Sequence, residues 1–278
     1  MTHNTVKASD YAFTLLRYLT LFGLLGTILI PLAFVISVSF RPPEEFFTSG
    51  VYLIPKNPSL EAWEQALRFL VEPLKNSLLI ASGTTIVSML IAVPGAYVFG
   101  RKEFPGKDII YYALFVSLLF PHILLIAPIT DIWFEIKLYN TVIGMWLALQ
   151  VFVIPFMIYI LRDYFEKLPQ NLEEAAQIYG CTEFTAFVRV VLPIAMPAVV
   201  AVAFLAFLIG WNEFLFANML TSGQGPRPAI VELFLLTQGT SGNVYWGRLM
   251  AITLVLGTPP TVLYLFARSY LGQAFNIT

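Results

Sequence analysis

The chain has 278 residues, 58% of them hydrophobic and only 12% charged, and its mean hydropathy is +0.77, against roughly 45–50% apolar usage in soluble domains. A formal net charge of -1 excludes the basic field that nucleic-acid binding needs, and a single cysteine, Cys181, excludes an intrachain disulfide. Lipid is therefore the solvent for most of the chain, and its elements are expected to be spans of about 20 apolar residues.

Taken in order, a polar tail over 1–14 is expected to be cytoplasmic and leads into the first span, Leu15–Phe40. That stretch exceeds a signal-peptide core of about 7–15 residues and no small-residue cleavage site follows, so it is expected to stay as a membrane helix. An external loop over 41–75 carries Leu60, Trp63, Leu67 and Leu70 at helical spacing with Glu61, Glu64, Gln65 and Arg68 opposite, which predicts a short amphipathic helix at the membrane surface. A five-helix core over 76–270 follows, with spans Asn76–Arg101, Ile109–Phe134, Tyr139–Leu161, Val188–Trp211 and Leu249–Tyr270, before a C-terminal tail over 271–278. The fold class is all-α: six transmembrane helices, with one helix outside the lipid between the fourth and fifth spans. Pro31, Pro94, Pro121, Pro128, Pro155, Pro197 and the Pro259-Pro260 pair interrupt these spans. Such breaks persist in lipid where neighbouring helices or a wet cavity satisfy the freed carbonyls.

Arg101, Lys102 and Lys107 crowd one short loop, and Arg162, Lys167 and Arg189 flank another, which marks that face as cytoplasmic and places both termini inside. The bias over the whole chain is modest and rests mainly on the 101–107 cluster. A second external loop, 212–248, combines a Gly/Ser/Gln/Pro-rich stretch with an apolar turn over Val231–Leu236, a length and mixture more often functional than idle.

The cytoplasmic segment 162–189 holds the densest functional signal. Asn171 can cap a helix, Glu173 and Glu174 sit in its first turn where the helix dipole favours them, Ala175 and Ala176 are strong helix formers, and Gly180 ends it. Small residues on one side let another protein approach closely, while Leu172, Ile178 and Tyr179 offer apolar contact. Glu174-Ala175-Ala176, then Gly180 after three intervening residues, then Leu192-Pro193 after eleven more, with Pro197 following, resembles the cytoplasmic signature of the binding-protein-dependent ABC importer permeases. The likeness extends to Asn76-Ser77-Leu78, to the run from Gly95 to Arg101, to Phe104-Pro105-Gly106-Lys107 and to Tyr245-Trp246-Gly247, and is nearest to the smaller permease of maltose-type carbohydrate importers. Gly100 and Val98 stand where that family has alanines, and the chain ends at RSYLGQAFNIT without a glycine-rich, lysine-containing tail.

The resemblance implies a type I ABC importer permease: a coupling helix over Glu173, Glu174, Ala175, Ala176 and Gly180 docking in a cleft of the ATP-binding subunit, and alternating access in half of a heterodimeric pathway. It implies as partners a second homologous permease, two ATP-binding subunits, an extracytoplasmic solute-binding protein and a sugar, in the cell's inner membrane. It also implies that Gln238, Gly239, Thr240 and Ser241 reach toward the receptor's ligand cleft. His122 and Asn212, polar residues near membrane depth, are pathway candidates, whereas Asp131, Glu135 and Glu213 are expected at the interface. No cofactor is expected on this chain, with ATP and Mg²⁺ held by the partner subunits. Gly106-Lys107 looks like the end of a phosphate loop, but Arg101 stands where that motif needs Gly, and Asp108 where it needs Ser or Thr. There is no G-x-S-x-G turn and no H-E-x-x-H pair, so no enzyme, and no metal site, is expected. An ABC permease for glycerol phosphate or another polar solute, or a secondary transporter, stays as the alternative, although no lysine or arginine lies in the interior of any span.

Overall fold

The computed structural model describes residues 3–45, 54–169, 171–238 and 245–275, and every regular element among them is helical. The helices are α1 (His3–Ser39), α2 (Glu61–Arg101), α3 (Lys107–Leu119), α4 (Ile126–Glu135), α5 (Val142–Lys167), α6 (Asn171–Ile178), α7 (Glu183–Ala186), α8 (Leu192–Asn212), α9 (Leu215–Leu220), α10 (Ala229–Thr237) and α11 (Trp246–Phe275). Among the described residues five stretches are long and apolar enough to cross a bilayer, and a sixth is added when α3 and α4, with the 3₁₀ turn His122–Leu125 between them, count as one broken span.

The third span, expected over Ile109–Phe134 with Pro121 and Pro128 interrupting it, is sharply bent: its halves meet at 95°. The cause is Pro121, which disfavours helical backbone in the residue before it; Phe120 accordingly sits extended at φ -72, ψ 133. The external loop departs from its expected form. The short amphipathic helix and the second span are one helix, α2, which runs through Pro73. Its 41 residues measure about 60 Å, twice the hydrocarbon thickness. The buried side of its first turns also differs from the expected one. Ala62, Ala66 and Leu70 are buried while Leu60 and Leu67 point outward, because alanines at four-residue spacing allow closer packing than leucines. At the N-terminal end, the helix of the first span already begins within the polar tail, at His3.

Contacts divide the chain into one unit of residues 1–69 and 239–255 and another of residues 70–238 and 256–278. In the first, the Ser59 amide donates to the Phe40 carbonyl at 2.8 Å, the Phe40 and Trp63 rings lie 5.7 Å apart, and the Arg248 guanidinium covers the Phe69 ring at 4.6 Å. Among the side chains of α1 that the structure describes, nearly all the apolar ones are exposed, a surface only lipid or another protein can cover.

In the second unit α5 is central. Met145, Leu149, Val153, Met157, Leu161 and Phe165 recur every four residues and are fully buried. Ala195, Ala198, Val202, Ala206 and Gly210 form the buried stripe of α8, small enough for the helix backbones to approach. Within the spans α2 and α5 are joined by polar contacts, as expected where lipid offers no partners. Ser88 Oγ donates to Gln150 Oε1 at 2.6 Å and Trp146 Nε1 donates to the Leu79 carbonyl at 2.9 Å.

Candidate functional site

The segment between α5 and α8 is built from local rules. Gly180 holds φ +88, a left-handed conformation that glycine adopts without a Cβ penalty. With it, the Cys181 amide donates to the Ala176 carbonyl at 3.0 Å and the Gly180 amide to the Gln177 carbonyl at 2.9 Å, the paired bonds of a Schellman cap. α6 thus stops at a fixed place. Thr182 then caps α7, its hydroxyl accepting from the Thr185 amide at 3.2 Å. A π turn over Phe187–Val191 leads into α8, the Leu192 amide donating to the Phe187 carbonyl. Pro193 explains the widened turn: it has no N–H for the Arg189 carbonyl, and its ring would collide with that group in an α turn.

The two glutamates of the first turn lie on different faces, since neighbours on a helix are about 100° apart. Glu174, Ala175 and Gly180 are exposed, whereas Ala176 is buried and the Glu173 side chain is only 14% exposed. Glu173 points at Arg101, the last residue of α2, whose side chain is 5% exposed. Arg101 Nε donates to Glu173 Oε1 at 2.9 Å and Nη2 to Oε2; Nη1 donates to the Leu168 carbonyl at 2.7 Å and Nη2 to the Pro169 carbonyl at 2.8 Å. Burial alone pushes the Glu173 carboxyl up, but the Arg101 hydrogen bond, its own backbone N–H and the Arg101 charge hold it below the usual carboxylate range. A depressed carboxyl keeps its contribution above its unfolded pKa of about 4.3 and loses it as pH falls through the lower folded value, so the pair is intact at neutrality.

The rest of the 101–107 cluster is paired as well, Lys102 with Glu183 at 3.0 Å and Lys107 with Glu103 at 2.8 Å. Outward, α6 and the turn after it present Ile178 at 84%, Tyr179 at 89% and Phe184 at 75% exposure. Three large exposed apolar side chains around a glycine form a surface suited to another protein.

Arg101 and Phe184 were not singled out by sequence reasoning as parts of this site. An arginine closing an apolar span and two adjacent glutamates are its only sequence signal, since the pairing bridges 72 residues. Gly100 has a local role too. A Cβ there would lie 2.8 Å from the Arg162 carbonyl and 3.1 Å from Phe165 Cβ, so the glycine lets α2 sit directly on α5. Gly100→Val is expected to cost about 2 kcal/mol or more, read as a lowered melting temperature of the purified protein; an unchanged melting temperature would contradict this close approach.

The other candidates lie apart from α6. His122 opens the 3₁₀ turn at the span break, its ring 4.8 Å from that of Phe152 and its Nε2 buried without a hydrogen-bond partner. Asn212 ends α8, exposed, its amide donating to the Leu208 carbonyl at 2.8 Å. Glu213 caps α9 by accepting from the Phe216 amide at 2.9 Å, and burial pushes its carboxyl up. Asp131 and Glu135 are exposed. Gln238 is exposed just past α10, and Gly239, Thr240 and Ser241 lie outside the described residues. Among the described residues no group of His, Cys, Asp and Glu could hold a metal ion.

Broken and continuous apolar helices, with a capped helix held between two of them by a buried ion pair, define a polytopic membrane protein. The chain belongs to the binding-protein-dependent transport system inner membrane components, whose family pattern matches residues 89–275. It is 32% identical to the diacetylchitobiose uptake system permease protein of Streptomyces coelicolor, covering 96% of this chain and 89% of that one. It is 31% identical to the trehalose transport system permease protein of Mycobacterium tuberculosis (86% and 88%) and 30% identical to the trehalose/maltose transport system permease protein of Thermococcus litoralis (87% and 88%). Its fold is that of a chain from a bacterial ABC transporter that imports the acidic polysaccharide alginate: TM-score 0.81 at 20% identity, covering 95% and 98% of the two chains. The type I importer permease architecture is therefore the fold of this chain, and the chain is a multi-pass membrane transport component, not an ATPase.

Proposed function

We propose that this chain is one of two permease subunits of an ATP-driven, solute-binding-protein-dependent sugar importer, forming half of a heterodimeric pathway that opens alternately to each side. The observation that carries it is α6: a short helix outside the spans, ended by a left-handed glycine and presenting Glu174, Ala175, Ile178 and Tyr179 outward. That surface fits the cleft of an ATP-binding subunit, with Glu173 and Ala176 fixing the helix from behind. The partners are a second homologous permease, two ATP-binding subunits that hold ATP and Mg²⁺, and an extracytoplasmic receptor; both termini are cytoplasmic. Sugar is favoured by the relatives, named for diacetylchitobiose, trehalose and maltose uptake. The absence of lysine and arginine from span interiors disfavours a phosphorylated solute. His122 is retained as a pathway residue because its Nε2 is unpartnered, whereas the Asn212 amide is already engaged at a helix end. Gln238 and residues 239–241 are assigned to receptor contact.

The test is the complete complex in proteoliposomes with its receptor and a panel of mono- to oligosaccharides alongside glycerol phosphate. ATP hydrolysis should rise several-fold only when receptor and one class of sugar are both present. Stimulation by glycerol phosphate alone would move the substrate class, and transport by this chain without ATP-binding subunits would make it a secondary transporter. Deletion of 238–241 should leave basal hydrolysis in place and abolish its stimulation by the receptor.

A further inference from the structure

Along the chain the docking helix leads back to α5 through Leu168 and Pro169 and onward through Cys181 and Thr182 to α7 and then α8. Nothing covalent near α6 leads to α2. We propose that Arg101 is the positioning residue that makes α2 move with the docking helix, so that partner motion reaches a third membrane helix. The proposal rests on reading α6 as the docking point.

Arg101 joins the end of α2 to the first turn of α6 by two hydrogen bonds to the Glu173 carboxylate. The same guanidinium also holds the Leu168 and Pro169 carbonyls, which belong to the connection between α5 and α6. One planar fork thus fixes the end of α2, the end of α5 and the first turn of α6 together, and α6 cannot slide without breaking a buried, charge-assisted set of bonds. A lysine offers a single point of charge and cannot reach all of these acceptors in their positions.

Behind the fork α2 has no slack against α5. Gly100 sits on the Arg162 carbonyl, Gly95 on the Ile158 side chain, and the Tyr97 ring lies 5.8 Å from Phe165 and 4.4 Å from Phe187. Close-packed contacts of this kind transmit displacement instead of absorbing it. Deeper in the span, Ser82 and Thr85 of α2 line an apolar groove of about 430 Å³ together with Phe204 and Phe207 of α8 and Tyr270 of α11. Motion of α2 therefore reshapes a surface at membrane depth.

The experiment uses the full complex carrying Arg101→Gln, Arg101→Lys or Glu173→Gln, reconstituted with receptor and transported sugar. Two quantities are read: the ratio of ATP-binding subunits retained through purification, and the sugar moved per ATP hydrolysed. Both glutamine variants should keep the wild-type subunit ratio and hydrolyse ATP, while sugar moved per ATP falls about tenfold or more, with Arg101→Lys in between. Loss of structure alone would lower the amount of complex and leave that ratio unchanged in what remains. Glu173→Gln keeps the side-chain shape and both carbonyl bonds of Arg101, so a Glu173→Gln complex with wild-type sugar moved per ATP overturns the proposal whatever Arg101→Gln does. Loss of the ATP-binding subunits from both glutamine variants also overturns it, since Arg101 would then only shape the docking surface. A wild-type chain that retains no ATP-binding subunit refutes the docking reading itself, which separates the two failures.

Discussion

Gly180→Trp is expected to abolish uptake and receptor-stimulated ATP hydrolysis while the chain still inserts at its normal level. Two facts separate the effect on the partner from the effect on the fold. At φ +88 any other residue is strained, at about 1–2 kcal/mol, which a membrane bundle survives. A Cβ at Gly180 meets nothing within 4 Å inside the chain. The indole therefore projects away from the chain's own atoms, next to exposed Ile178, Tyr179 and Phe184, where a protein docked on α6 would meet it. Gly180→Ala should consequently lose only a few-fold of activity, and Gly180→Trp all of it, with ATP-binding subunits absent from the purified complex. Full uptake by Gly180→Trp would sink the assignment of α6 as the docking helix.

Gly144→Ala, by contrast, is expected to lower the amount of folded protein before any partner is involved. The added Cβ would lie 2.1 Å from the Leu138 carbonyl and 2.9 Å from the Trp133 ring. Neither can yield. The turn holding Leu138 is tied down by its own amide and that of Tyr139, donating to the Trp133 carbonyl at 2.8 and 3.0 Å. The Trp133 indole is fixed by its bond to the Gly144 carbonyl at 2.8 Å. Asn140, in the same turn at φ 60, accepts from the Ser222 amide at 2.9 Å, so displacing the turn disturbs the segment beyond α9 as well. The expected cost is about 3 kcal/mol or more. It is read as a several-fold fall in monodisperse protein after detergent extraction and a lowered melting temperature. Wild-type yield and melting of Gly144→Ala would show that the α4–α5 joint adapts, contrary to this packing.

Much of this molecule was legible as a string. The apolar runs near 20 residues, the polar stretches between them and the Glu174-Ala175-Ala176 to Gly180 spacing are local quantities, and lipid admits few backbone solutions for such runs. The proline in the third span was visible too, but not the 95° bend it produces, because a proline in lipid kinks or breaks a helix according to what packs around the freed groups. Pro73 makes the same point in reverse, since α2 runs through it.

What composition and spacing determined by themselves is the solvent, the helical class and the place of the short capped helix between the fourth and fifth spans, because each depends on neighbours within a few turns. The tertiary structure alone decided which of two adjacent glutamates turns inward. Glu173 and Glu174 have nearly the same local sequence environment, and only the arrival of Arg101 from 72 residues away makes one a buried anchor and leaves the other exposed. A buried charge is tolerated only where an opposite charge and sufficient hydrogen bonds meet it, and which residue arrives there is settled by how α2 packs on α5.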